Sequence, residues 1–338
     1  MVLEAANTNF IYKEVPDPVA GPGEAVARVF SCGSGLTIQH VKMGRTPGIF
    51  PRIIGHEITG EIVEIGTGVN SLKVGDPVTL HFYIFCGYCK KCLSGYEPLC
   101  ENLNGFVGTT HDGGYAEYLK LPAQNFIVLP NGLNYKEDAA EIGVVTDALA
   151  TPYKVINRAN IKSGENVVIF GAGGGLGLHQ IILAKWAGAN VIAIDTDEEK
   201  FSMCRQAGAS ETINPTEGNI IEIIQDLTNG GADVSIDYVS KTETLNASIG
   251  ILGPHGRMVT LGGAGEEFSA KAKTLLLQEQ SILGSRYVTR TQILETLELC
   301  ARGEIWPIVS LKKPLKDAEE VHNLVECGKV TGRAALII

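Results

Sequence analysis

Four cysteines stand within fifteen residues, in Cys86-Gly-Tyr-Cys89-Lys-Lys-Cys92 and then Cys100. Thiols at this spacing can converge on one small cation, and zinc held by four thiolates with no open position is a structural site. A pair of disulfides is the alternative. The chain shows no signal peptide and reads as cytoplasmic, where thiols stay reduced, so zinc is expected in the lobe. The other cysteines, Cys32, Cys204, Cys300 and Cys327, are scattered and read as small buried hydrophobes.

Around this lobe the pattern is that of short strands. Residues 1–30, Ile58–Ile65, Lys73–Leu80 and Gly113–Leu119 alternate in part and are separated by Gly and Pro turns, which suggests a small β-barrel. Helical patterning starts at Tyr135, and Asp147–Ile156 reads as a helix linking two domains, with Pro152 marking a kink or a first turn. From Asn166 the period changes. Val167–Phe170 is a continuous apolar run, as for a strand buried on both faces. Further strand-and-helix units follow through Ser281–Gly284, which means a parallel sheet wound on both faces.

The turn after Phe170 reads Gly171-Ala172-Gly173-Gly174-Gly175-Leu176-Gly177. A loop of this kind lets the backbone approach a pyrophosphate and aims a helix N-terminus at it. Asp195 follows Gly177 by eighteen residues, at the end of the next strand. A carboxylate there accepts from ribose hydroxyls and repels a 2′-phosphate, so NAD is expected rather than NADP. Capping of the following helix is the plain alternative for Asp195.

The four-Cys lobe, preceded by Gly55-His56-Glu57 and followed by the glycine turn, resembles the zinc-containing medium-chain dehydrogenase/reductase (alcohol dehydrogenase) superfamily. The resemblance covers essentially the whole chain. It implies an α/β protein with a discontinuous GroES-like β-barrel catalytic domain at 1–148 and 288–338. A Rossmann domain, a doubly wound parallel sheet that binds the nucleotide, is expected at 149–287. It also implies a catalytic zinc held by a Cys, His56 and a third ligand such as Asp147, with Glu57 alongside, and a proton relay through Thr37 and His40. The Cys is missing. The segment reads Cys32-Gly33-Ser34-Gly35-Leu36-Thr37-Ile38, and Gly35 stands at the ligand position. Three arrangements stay open: zinc on His56 and Asp147, with or without Glu57, and water completing the shell; Cys32 bending in as a ligand; or no catalytic metal.

The expected function is NAD-dependent interconversion of an alcohol, a secondary one foremost, with its ketone or aldehyde. One alternative is a C=C reductase of enones or 2-enoyl thioesters that needs no metal on an alkoxide. Another is a non-catalytic NAD-binding protein. The net charge of −10 with no basic block argues against nucleic acid and anionic membranes, and no apolar run is long enough for a membrane span. The resemblance implies a homodimer or homotetramer, with Ser281–Gly284 as the pairing edge. The partner is a small-molecule substrate. Phe82, Tyr83, Phe106 and Tyr287 are candidates for an apolar pocket, and Arg286 for an anionic substrate group. His81, His111, His179, His255 and His322 match no motif and read as structural.

Overall fold

The computed structural model describes residues 1–262 and 265–338. The chain divides into two units, Met1–Ala150 with Val288–Ile338, and Thr151–Tyr287.

The first unit is built on a seven-stranded sheet: β1 (Glu24–Ser34), β2 (Glu57–Ile65), β3 (Pro77–Leu80), β4 (Tyr118–Pro122), β5 (Phe126–Val128), β12 (Val309–Pro314) and β13 (Arg333–Ile337). Its order is β12-β13-β1-β2-β3-β5, and β4 also pairs β1. All pairings are antiparallel except β12 with β13. β1 is the hub. One half pairs β4, the other half pairs β13, and β2 runs alongside both. Its residues Ala25–Ala27 and Ser31–Ser34 are buried, because a strand covered on both sides has no solvent face. Two details differ from the expectation. Before Glu24 the chain makes only isolated bridges, Val2 to Ile11 and Leu3 to Arg52. Gly114–Glu117 is a bend, and the strand begins at Tyr118. Gly113 and Gly114 are held there by close approach to Ile54, Gly55 and Ile58, which leaves no room for a Cβ.

The second unit carries β6 (Asn166–Phe170), β7 (Asn190–Ile194), β8 (Glu211–Ile213), β9 (Ala232–Asp237), β10 (Leu252–Thr260) and β11 (Ser281–Gly284). All pair in parallel, in the order β11-β10-β9-β6-β7-β8. The order reverses between β6 and β9, which is where open α/β sheets bind ligands. Val168, Phe170, Ile192 and Ile194 pack with Ile224 and Ile251 in one cluster. Each contributes about 2 kcal/mol by burial. The helix Ala150–Ala159 continues directly from the helical turns before it, so Pro152 lies inside a continuous helical run, where its missing N–H leaves a gap in the bonding ladder. Ahead of it, Val145–Leu149 is a π-helical segment that holds Asp147. Widened turns of this kind are frequent at functional sites.

Candidate active site and cysteine lobe

The lobe is local in origin. Phe85 is buried and packs on Cys89 and Cys92. Cys89 caps the short helix Lys90–Leu93, and Cys100 follows the turn Glu97–Leu99. The four Sγ atoms lie within 4.8 Å of one another, and Cys86 and Cys92 are 3.9 Å apart. That is far from a disulfide's length. It is close to the roughly 3.8 Å edge of a tetrahedron with Zn–S bonds of about 2.3 Å. Backbone N–H groups point at the sulfurs: Cys89 to Cys86 at 3.3 Å, Cys86 to Cys100 at 3.3 Å, Glu101 to Cys89 at 3.5 Å. Against desolvation, such donors from Tyr88 and Cys89 pull the Cys86 thiol down to about 6. Burial pushes Cys92 up. The donor set, spacing and charge all suit a tetrathiolate zinc.

In the second unit, Gly171 turns the chain out of β6 with φ of 73°. The helix Gly175–Trp186 then opens at Gly174 with no side chain capping it. Its first N–H groups are therefore available to an anion. Gly177 is forced: a Cβ there would lie 2.1 Å from the Gly171 carbonyl oxygen and 2.8 Å from the Ala172 Cα. Ala172 is fully buried. Asp195 follows β7, and its carboxylate accepts from the N–H of Gly173 at 2.8 Å and of Asp197 at 3.1 Å. It thereby ties the glycine loop to the end of the next strand. The cap of the short helical turn Glu198–Lys200 is Asp197, not Asp195. These residues fit a dinucleotide.

The first unit brings His56, Glu57 and Asp147 into one buried pocket, 3%, 2% and 6% exposed. His56 precedes β2, Glu57 opens it, and Asp147 comes from the π-helical segment. His56 Nε2 lies 3.5 Å from Asp147 Oδ2. The His56 ring stacks on Phe82 at 4.1 Å, and Tyr83 and Phe106 extend the aromatic wall. Tyr83 and Phe106 also form a strand-like bridge.

His56 and Asp147 stand close enough to share an ion, but no third His, Cys or carboxylate ligand among the described residues gathers with them. Among the described residues, only the four lobe cysteines gather as metal ligands. Arg333, the first residue of β13, stands in the pocket instead. Its Nη2 donates to Glu57 Oε1 at 2.9 Å and to Asp147 Oδ2 at 3.1 Å. Desolvation works against this guanidinium, and the charges of Glu57 and Asp147 outweigh it, so its pKa is raised. Burial in turn raises Glu57, with Arg333 opposing. Nor does Cys32 bend in. Side chains alternate along β1. Gly33 faces the Glu57 carboxylate, whereas the Cys32 thiol packs against Gly55 and Gly114 and donates to the Gly33 carbonyl at 3.7 Å. Burial pushes that thiol well above its ordinary range.

Sequence reasoning missed Arg333. A signal was present: a single charge opening the apolar run Ala334–Ile338. A charge inside a sheet needs a buried partner. Thr37 and His40 lie three apart on the helix Leu36–Lys42, on one face. Thr37 is exposed and His40 half-buried. Desolvation and the Arg45 charge lower His40. Tyr287 is buried in the second unit.

Two of the unmatched histidines are plainly structural. The ring of His81 contacts the carbonyls of Tyr83 and Val288. His322 Nδ1 meets Gln39 Oε1 at 2.6 Å, and Nε2 meets the hydroxyls of Tyr115 at 2.9 Å and Ser34 at 3.2 Å. A neutral ring donating from Nδ1 and accepting at Nε2 satisfies the whole network. Burial pushes its pKa down to about 3. The unfolded chain therefore binds a proton that the folded one refuses. Stability from this group is complete above about 6.5 and falls by about 1.4 kcal/mol per pH unit toward 3. Urea midpoints between pH 6.5 and 5 should fall less steeply in His322→Gln than in wild type. Equal slopes would refute this role. His40 and His111 shift in the same direction, so the difference between variants is the readout.

The family profile of the alcohol dehydrogenase GroES-like domain matches residues 21–131, and that of zinc-binding dehydrogenase matches residues 175–302. An alcohol dehydrogenase of Geobacillus stearothermophilus is 34% identical, over 99% of this chain and 98% of its own. An NAD-dependent alcohol dehydrogenase of Sulfurisphaera tokodaii is 29% identical, over 96% and 95%. The crystal structure of the alcohol dehydrogenase of Aeropyrum pernix superposes with a TM-score of 0.90 at 30% identity, covering 100% of this chain and 99% of that one. Likeness that runs end to end through both units makes the chain a member of the zinc-containing medium-chain alcohol dehydrogenase superfamily, with a GroES-like and a Rossmann-type domain, and an alcohol-dehydrogenase-like oxidoreductase.

Proposed function

We propose that the protein interconverts a secondary alcohol and its ketone, or an alcohol and its aldehyde, by NAD-dependent hydride transfer. The unit Met1–Ala150 with Val288–Ile338 acts on the substrate, and Thr151–Tyr287 binds the nucleotide. The observation that carries this reading is the Asp195 carboxylate, held by two N–H groups beside the glycine loop. From there it accepts from the ribose hydroxyls and disfavours a 2′-phosphate. The uncapped start of the helix Gly175–Trp186 receives the pyrophosphate. When bound, NAD supplies the hydride acceptor for the alcohol, and NADH the donor for the carbonyl. Thr37 accepts the substrate hydroxyl proton as it releases its own, and His40, one turn on, passes that proton toward water. Phe82, Tyr83 and Phe106 give the His56 wall an apolar flank suited to hydrocarbon substituents. The printed names of the relatives support alcohol chemistry and NAD.

A second reading, reduction of an activated C=C bond, is favoured by one observation: a guanidinium stands among His56, Glu57 and Asp147. Hydride transfer to a β-carbon needs no metal on an alkoxide. NADH oxidation with a saturated ketone and its matched enone separates the two. The ketone is expected to be consumed, with NADPH poorer by about tenfold or more. Turnover of the enone alone would replace the first reading by the second. Binding of NADH without turnover of either class would leave a non-catalytic NAD-binding protein. We also propose assembly as a homodimer or homotetramer through the terminal strand β11, whose unpaired edge invites a twin.

A further inference from the structure

We propose that the Arg333 guanidinium is the resident cation of the His56–Glu57–Asp147 pocket, and that it makes this pocket independent of a metal ion. This rests on reading that pocket as the active site.

Four observations carry it. Two buried carboxylates need a positive partner, and a single nitrogen, Arg333 Nη2, serves both at 2.9 and 3.1 Å. Two glycines make room for the arrangement. A Cβ at Gly33 would lie 2.3 Å from Glu57 Oε2, and one at Gly35 would lie 2.1 Å from Arg333 Nη1 and 2.7 Å from its Cζ. A side chain at position 35 and this guanidinium therefore exclude each other. The donor set offers no thiolate, and a divalent ion brought to Asp147 would meet a positive charge 3.1 Å from the same oxygen. Finally, two polar atoms of the pocket remain uncommitted. Arg333 Nε and His56 Nδ1 are buried and have no hydrogen-bond partner among the described residues. A guanidinium recognises oxygens by directed N–H groups. The partner chemistry that fits is a carbonyl, carboxylate or alkoxide oxygen of the substrate.

The test counts metal and needs no turnover. Zinc per chain is measured by elemental mass spectrometry on the intact 338-residue chain, and cobalt(II) is titrated into wild type, Arg333→Met and Gly35→Cys. Wild type is expected to hold one zinc, in the cysteine lobe, and to take up no second ion. Arg333→Met removes the competing charge and should take up a second cobalt at concentrations where wild type takes up none, with ligand-field bands but no added thiolate absorption. In Gly35→Cys the thiol displaces only the flexible end of Arg333, so this variant decides the matter should Arg333→Met fail to fold. It should bind a second cobalt with a new thiolate charge-transfer band. A second zinc in wild type would overturn the proposal. So would folded variants that gain no cobalt. One zinc in wild type without ketone or alcohol turnover would sink the proposed reaction and leave this inference standing. Two zincs with turnover would do the reverse.

Discussion

Cys92→Ser is expected to empty the cysteine lobe of zinc and unfold it locally. Structural zinc in small peptide folds is worth on the order of 10 kcal/mol, and removing one of four thiolates forfeits most of that. The segment has little else to hold it. Apart from Glu97 and Pro98, its buried residues are Phe85, Cys89 and Cys92 themselves, while Tyr88, Leu93, Tyr96 and Leu99 are exposed. Unfolding should stop at the hydrogen bonds that link Ile84 with Asn104 and Gly105, and at Gln124, which donates to the Phe85 carbonyl at 2.7 Å. Limited proteolysis should therefore cut within residues 86–103 in the variant and leave wild type intact. Zinc content should fall from one per chain to none. Retention of zinc in Cys92→Ser would show that the lobe does not use this thiol.

Gly177→Val is expected to weaken NADH binding by about 100-fold, equivalent to about 2.7 kcal/mol. The clash is with backbone atoms of Gly171 and Ala172, so no rotamer relieves it. The helix must move off β6, and its N-terminus no longer points at the pyrophosphate. Gly174→Ala is the control. Its Cβ meets only the Gly171 carbonyl, at 3.3 Å, and a shift of a few tenths of an ångström suffices. Fluorescence titration with NADH should therefore separate the two glycines sharply. Equal affinities would mean that the loop does not hold the cofactor's phosphates. The lobe zinc, carried by the other unit, should stay unchanged in both variants.

These two sites were legible because their geometry is local. Cys86 to Cys100 is a single loop whose spacing already limits where the sulfurs can go. Gly171 to Gly177 sits between a strand and a helix that the apolar pattern announces, and Asp195 needs only the next strand to reach the loop. The parallel sheet was readable for the same reason, since Val167–Phe170 and Val191–Ile194 are apolar without alternation. The region around Gly113–Glu117 was not. Its glycines answer to backbone at Ile54 and Gly55, far away in sequence, and the strand pattern there was misleading.

The candidate active site divides in the same way. By itself the sequence determined that Gly35 offers no ligand atom, that His56, Glu57 and Asp147 are available, and that four cysteines can close around an ion. Tertiary structure alone decided what fills the place beside Gly35. Arg333 reaches Glu57 across 276 residues and Asp147 across 186, through a strand that pairs with β1 only when the chain's end returns to its beginning. The same return places His322 against Ser34, Gln39 and Tyr115 as a neutral, fully bonded ring. Such pairings leave no period or spacing behind, because the charge of an arginine is compensated by whatever carboxylate the fold brings to it.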